Sequence, residues 1–193
     1  MSRHLNATAH TIYTWQIEHH PHPEKVYDWV RSNWHDLGDC VLDYASDSLK
    51  AFAKHFDCDV DWAMCVTPDR GELITFAGLN WHMTEYEGGA LANYLREKRY
   101  FMYTDGKGVL LDLLDGECPF TGYYTDEVLL DKVREFRAEP ADITMRALLE
   151  SCASDLLETL HKEGEYIYSD EGLKETLMAH EYEFKENGEI FIS

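Results

Sequence analysis

The stretch DCVLDYASDSLKAFAKHF, residues 39–56, runs straight into DCDVDWAMCVT, residues 57–67. Reading the two together decides the fold class. In the first, Leu42, Ala45, Leu49, Phe52 and Phe56 recur at 3-4-3-4 spacing, which predicts an α-helix with one apolar stripe. Asp39, Asp43, Asp47, Lys50 and Lys54 recur at 4-4-3-4 spacing and predict a second, charged stripe on the same helix. Gly38 and Asp39 supply a break and an expected N-cap. In the second stretch the period falls to two. Val60, Trp62, Met64 and Val66 alternate with Asp61, Ala63 and Cys65, as side chains do along a strand. Pro68-Asp69-Arg70-Gly71 then reads as a turn, and β-formers from Glu72 to Leu79 predict the returning arm of a hairpin.

Working outward, residues 1–10 are expected to be a flexible leader without the apolar core of a secretory signal. Ile12 to Ile17 alternate weakly and predict a first strand, which His19-His20-Pro21-His22-Pro23 breaks. Val26, Trp29, Val30 and Trp34 predict a helix over 24–35, with Pro23 at its start. Toward the C-terminus, Gly88-Gly89 precedes an expected helix over 90–103. Residues 109–114 fit either a short buried strand or a helix end. Helices are expected over 125–136 and 144–163, and a further one from Ser169-Asp170-Glu171 to about Ala179. Asn187-Gly188 predicts a closing hairpin. No repeat or low-complexity linker interrupts the series. The expectation is a single α+β domain over 11–193, its antiparallel strands and hairpins packed with five or six helices.

Charge narrows the function classes. The 193 residues carry 37 acidic and 17 basic side chains, a formal charge of −20. Such a polyanion repels nucleic-acid phosphates and anionic membranes, so direct binding to either is not expected. No apolar run approaches the roughly 18 residues that span a bilayer. Cys40, Cys58, Cys65, Cys118 and Cys152 are five, an odd number without a repeated short spacing. A reducing, cytoplasmic setting fits them better than a disulfide framework. The expected partner is a basic protein. The excess is uneven: residues 101–193 hold 22 acids and 8 bases, whereas residues 1–100 hold 15 and 9.

Catalytic motifs are scarce. There is no Gly-x-Ser-x-Gly elbow, no phosphate-binding glycine loop and no His-Glu-x-x-His helix, so no catalytic residues and no cofactor are assigned. Asp57, Asp59 and Asp61 alternate on one expected strand face, and a metal-dependent enzyme using them is a lesser alternative. His19, His20 and His22 could offer imidazoles to a metal, but proline holds the segment extended, and an exposed loop is the expectation. Cys58 and Cys65 read as small buried hydrophobes. Acidic rows are more informative. Carboxylates at i and i+4 on a helix are separated by about 6 Å of rise, comparable with successive phosphates along a strand. Asp39, Asp43 and Asp47 make such a row and Glu171 and Glu175 a shorter one; Asp155 and Glu158 are further candidate contacts.

Two phrases carry a resemblance: Cys118-Pro119-Phe120-Thr121-Gly122-Tyr123-Tyr124-Thr125-Asp126-Glu127, and Glu165-Tyr166-Ile167-Tyr168-Ser169-Asp170-Glu171 running on to Ala179-His180-Glu181-Tyr182-Glu183-Phe184-Lys185-Glu186-Asn187-Gly188. Both resemble a family of small acidic phage and prophage proteins, without an assigned function or loosely labelled antitoxin-like. Tyr168, His180 and Asn187 stand where that family usually has Thr, Asn and Asp. The resemblance covers about Thr11 to Phe191, and the His-Pro segment replaces the family's usual opening helix. It implies a non-enzymatic inhibitor of a host defence complex, anti-CRISPR-like, acting in the bacterial cytoplasm. The partner would be a CRISPR effector or other defence nuclease, met by nucleic-acid mimicry. The alternative is an antitoxin-like module that neutralises a toxin. It transfers no catalytic residues. Phe120, Tyr182 and Phe184 are expected core anchors, and Ser169 a helix cap.

Overall fold

The structure, a computed structural model, describes residues 14–67, 72–113 and 115–191. The expected leader and the Pro68–Gly71 turn lie outside them, as does the start of the first strand. The protein is α+β, with helices packed against two-stranded antiparallel sheets. By contacts it divides into two compact units, Gly38–Glu165 and Met1–Leu37 with Tyr166–Ser193.

The larger unit begins with α2 (Asp39–His55), the helix read from the 39–56 stretch. Gly38, not Asp39, is its N-cap, held at φ +93°, where a side chain would be strained. Asp39 therefore sits in the first turn, where its charge complements the helix dipole. Ala45, Leu49, Phe52 and Phe56 of the apolar stripe are buried, together with Ser48, and Leu42 packs against them half-buried. The helix ends with Cys58 N–H on the Ala53 carbonyl and Asp57 at φ +59°, a left-handed closing turn. Asp57 is thus the helix terminator. The strand β2 (Asp59–Ala63) starts two residues later, so only Asp59 and Asp61 share a strand face, a correction to the three-carboxylate row.

β2 pairs antiparallel with β3 (Leu73–Ala77), in the register Val60↔Phe76 and Trp62↔Ile74. Ile74 and Phe76 go inward while Leu73, Thr75 and Ala77 face out. The short α3 (Trp81–Thr84), which no periodicity announces, leads to α4 (Gly88–Glu97). The helix expected over 90–103 stops at Glu97 for the same reason as α2. Tyr100 N–H bonds the Leu95 carbonyl and Arg99 takes φ +62°, turning the chain out of the helix. β4 (Met102–Thr104) then pairs with β5 (Leu110–Asp112), so the middle of the 109–114 segment is strand rather than a helix end.

α5 (Tyr124–Ala138) and α6 (Met145–Ile167) complete this core with Leu129, Leu130 and Val133 and with Leu148, Leu149, Cys152, Leu156 and Leu160, all buried. Phe120 packs against it, half-buried. Gly164 in α6 explains itself by contact. A Cβ there would lie 1.7 Å from the Val66 carbonyl oxygen, so the helix approaches the chain after β2 only because the side chain is missing.

The smaller unit has its own apolar cluster. α1 (Pro23–Asn33) contributes Val26, Tyr27 and Val30; α7 (Asp170–Ala179) contributes Leu173 and Leu177. β1 (Trp15–Gln16) pairs antiparallel with β6 (Glu183–Phe184), whose Phe184 is fully buried and Tyr182 half-buried against it. The Ser169 hydroxyl accepts from Gly172 N–H at 3.0 Å, the expected cap of α7. Asn187-Gly188 turns the chain as expected, with Lys185 N–H on the Glu189 carbonyl and a bridge from Phe184 to Ile190.

Candidate functional site

α2 presents its charged stripe to solvent: Asp39, Asp43, Asp47, Lys50 and Lys54 are all exposed. The order follows the helix dipole, acids toward the N-terminus and lysines toward the C-terminus. Within the stripe the acids differ. Asp47 lies 3.3 Å from the Lys50 amine, which also sits 5.3 Å above the Trp62 ring. Asp39 and Asp43 have neither an ion pair nor a side-chain hydrogen bond among the described residues. The row from Asp39 to Asp47 covers about 12 Å at 1.5 Å per residue.

Both flanks of the row carry aromatic surface. On one side, Asp43 lines a groove of about 330 Å³ with Trp62 and Met64. On the other, Tyr44 stacks on Tyr123 with ring centroids 4.1 Å apart, and Tyr123 and Tyr124 remain more than a third exposed. The Tyr124 phenol is pushed up to about 12 by burial, then by the charges of Glu163 and Cys40. Tyrosine and tryptophan beside bare carboxylates give packing area and charge together, the composition of energetic centres in protein interfaces.

The other expected contacts stand elsewhere and are differently engaged. Asp155 lies 3.5 Å from the Lys132 amine, which also bonds Glu135 at 3.0 Å. Glu158 pairs with Lys162 at 2.6 Å, and the hydrogen bond from that lysine lowers its carboxyl below the ordinary value. On α7, Glu171 is exposed in the first turn and Glu175 accepts from the Tyr166 hydroxyl at 2.8 Å. The seven residues therefore fall on three helices; the α2 row lacks internal cations at two of three positions, and neither Glu171 nor Glu175 has an ion pair among the described residues.

In the histidine segment, expected as an exposed loop, His20 has a structural place. His20 is buried; its Nδ1 accepts from His22 N–H at 3.0 Å, so Nε2 donates to the Lys185 carbonyl at 2.9 Å. Both ring nitrogens are occupied, and His22 lies 3.3 Å from Glu24. Among the described residues no group of three or more His, Cys, Asp or Glu side chains has the geometry to hold a metal ion.

The five cysteines are reduced thiols. Burial, with the charges of Asp59 and Asp57 behind it, pushes Cys58 up to about 11. Cys152, buried, is pushed up as well, and so is Cys118, by burial and then by Asp126 and Glu127. Cys65 is not the apolar plug expected of it. Its thiol and backbone N–H both donate to the Glu72 carboxylate, which also accepts from His161 Nε2 at 2.7 Å. Burial pushes the Glu72 carboxyl up, but the bonds from His161 and Cys65 outweigh that and hold it below the ordinary range.

A second inward carboxylate escapes sequence reading altogether. Asp126 is fully buried and accepts from Phe120 N–H, Thr121 N–H, Thr121 Oγ1–H and Gly122 N–H at 2.7–3.3 Å. Beside it Ser48, Thr121 and Thr125 share hydroxyl bonds. The Cys118–Asp126 phrase therefore folds back onto its own acid. Comparison of the chain with family models, with curated proteins and with solved structures found no match.

Proposed function

We propose that the protein is a non-catalytic binding module that engages a basic surface of a nucleic-acid-handling protein through the α2 row. CRISPR effectors and other defence nucleases are the targets implied by the resemblance to acidic phage proteins, and competition with their nucleic acid is the mechanism. The observation that supports this reading most is the state of Asp39 and Asp43: exposed, about one helical turn apart, without an internal cation, between the Trp62 groove and the Tyr44–Tyr123 stack. A lysine or arginine from a partner supplies the missing counter-charge, and the aromatic flanks exclude water around it.

The test is capture from a bacterial lysate carrying several defence systems, using immobilised wild type and the triple variant Asp39→Asn/Asp43→Asn/Asp47→Asn. The expected result is a basic nucleic-acid-handling protein bound by wild type, released by duplex DNA, and weakened at least about tenfold between roughly 0.05 and 0.5 M salt. The triple variant should lose it. An affinity flat in salt, or a triple variant that binds as wild type does, would sink the row as the interface. A toxin-sized captured partner that duplex DNA does not release would instead support the antitoxin-like alternative.

A further inference from the structure

α5 ends at Ala138 because Pro140 follows, and α6 begins at Met145. Between them lies a groove of about 650 Å³, within the range of sites that enclose a side chain or a small ligand. Its apolar walls are Phe136, Pro140, Ala141, Ile143 and Leu148. Phe136 and Leu148 are fixed in the core, whereas Pro140 and Ala141 are exposed and Ile143 half-exposed.

The rim is acidic. Glu135 and Glu139 stand on it with Lys132, and Asp155 reaches the same lysine. These four side chains sum to −2. The Lys132 amine, held between Glu135 and Asp155 at 3.0 and 3.5 Å, marks a place where this rim takes a cation. Glu139 has no ion pair among the described residues. A second copy of the chain is a poor occupant, since each copy carries −20 and the two repel.

We propose that this groove is a docking site for a basic peptide segment of a partner. The segment seats one apolar side chain against Ile143 and Leu148 and sets a lysine or arginine beside Glu139. Apolar burial anchors the segment, and the acidic rim selects cationic flanks. The site uses none of the α2 row residues, so either surface can fail without the other.

The experiment measures fluorescence anisotropy of a labelled lysine–leucine peptide with its leucines at helical spacing, against the full-length protein. A matched peptide with serine for leucine tests the anchor. Two variants block the groove from residues that line it on either helix, Ala138→Trp at the end of α5 and Ser151→Trp on α6, and Glu139→Lys inverts the rim; melting curves verify that each is folded. The expected result is at least a roughly tenfold loss of affinity in either tryptophan variant, a several-fold loss in Glu139→Lys, and a similar loss with the serine peptide. The Asp39→Asn/Asp43→Asn/Asp47→Asn protein should keep its affinity within about twofold. Unchanged binding by both tryptophan variants, or equal binding of the serine peptide, would overturn the proposal. Loss confined to the α2 triple variant would place the peptide on that row, overturning the groove while supporting the function proposed above.

Discussion

Asp126 and Asp43 lie in the same unit, and their side chains meet opposite fates. Asp126 is sealed in the core and saturated by four donors from the 120–122 turn. Asp43 stands in water with no partner among the described residues. One carboxylate organises a loop, and the other leaves its charge available. The net charge of −20 therefore mixes two populations, structural acids turned inward and surface acids facing out. Glu72, held by His161 and Cys65, belongs with the first; Asp155 and Glu158, matched to Lys132 and Lys162, lie between.

The contrast can be broken most decisively at Asp126. Asp126→Ala leaves three backbone donors and a hydroxyl without their acceptor, and should cost about 3–5 kcal/mol in urea unfolding. A loss under about 1 kcal/mol would mean that the inward acid is dispensable.

Glu72 comes next. Glu72→Gln keeps the shape but loses the charge that receives His161, and should cost about 1–2 kcal/mol near neutral pH. Because its folded value lies below the ordinary 4.5, its contribution is fully present above that value. It is lost as pH falls through the folded value. Wild type and variant should therefore converge in stability at strongly acidic pH, and a constant gap from neutral pH to about pH 3 would refute the linkage.

The smallest effect on stability belongs to the surface. Asp43→Asn should melt within about 2 °C of wild type, yet in the binding experiments it should reduce the salt dependence. A large drop in melting temperature would show that Asp43 is structural after all.

Much of the fold was legible because its signals are local. The 3-4-3-4 stripe of α2, the β-formers on either side of the 68–71 turn, the Ser169 cap and the Asn187-Gly188 turn each depend on residues within a few positions of one another. The overrun of α4 has a local cause too, but Arg99 in a left-handed turn is invisible because arginine rarely signals one. The site was legible only in part. The spacing of Asp39, Asp43 and Asp47 revealed a stripe, and helical geometry keeps that stripe on one face. Nothing in spacing reveals that Lys132 reaches Asp155 from another helix, or that His161 meets Glu72 from 89 positions away. Burial of Asp126 was hidden for a similar reason: its donors are close in sequence, but Ser48 and the α2 core that enclose it are not.

The state of the cysteines has a practical consequence. Cys58, Cys118 and Cys152 are held as thiols by burial and neighbouring carboxylates, and Cys65 is tied to Glu72, whereas Cys40 is exposed in the first turn of α2. A maleimide must reach the sulfur it alkylates, so a dye should attach first at the exposed Cys40, next to Asp39. The natural sequence thus offers a reporter position at the edge of the acidic row, and partner binding can be followed there by fluorescence without changing a single residue.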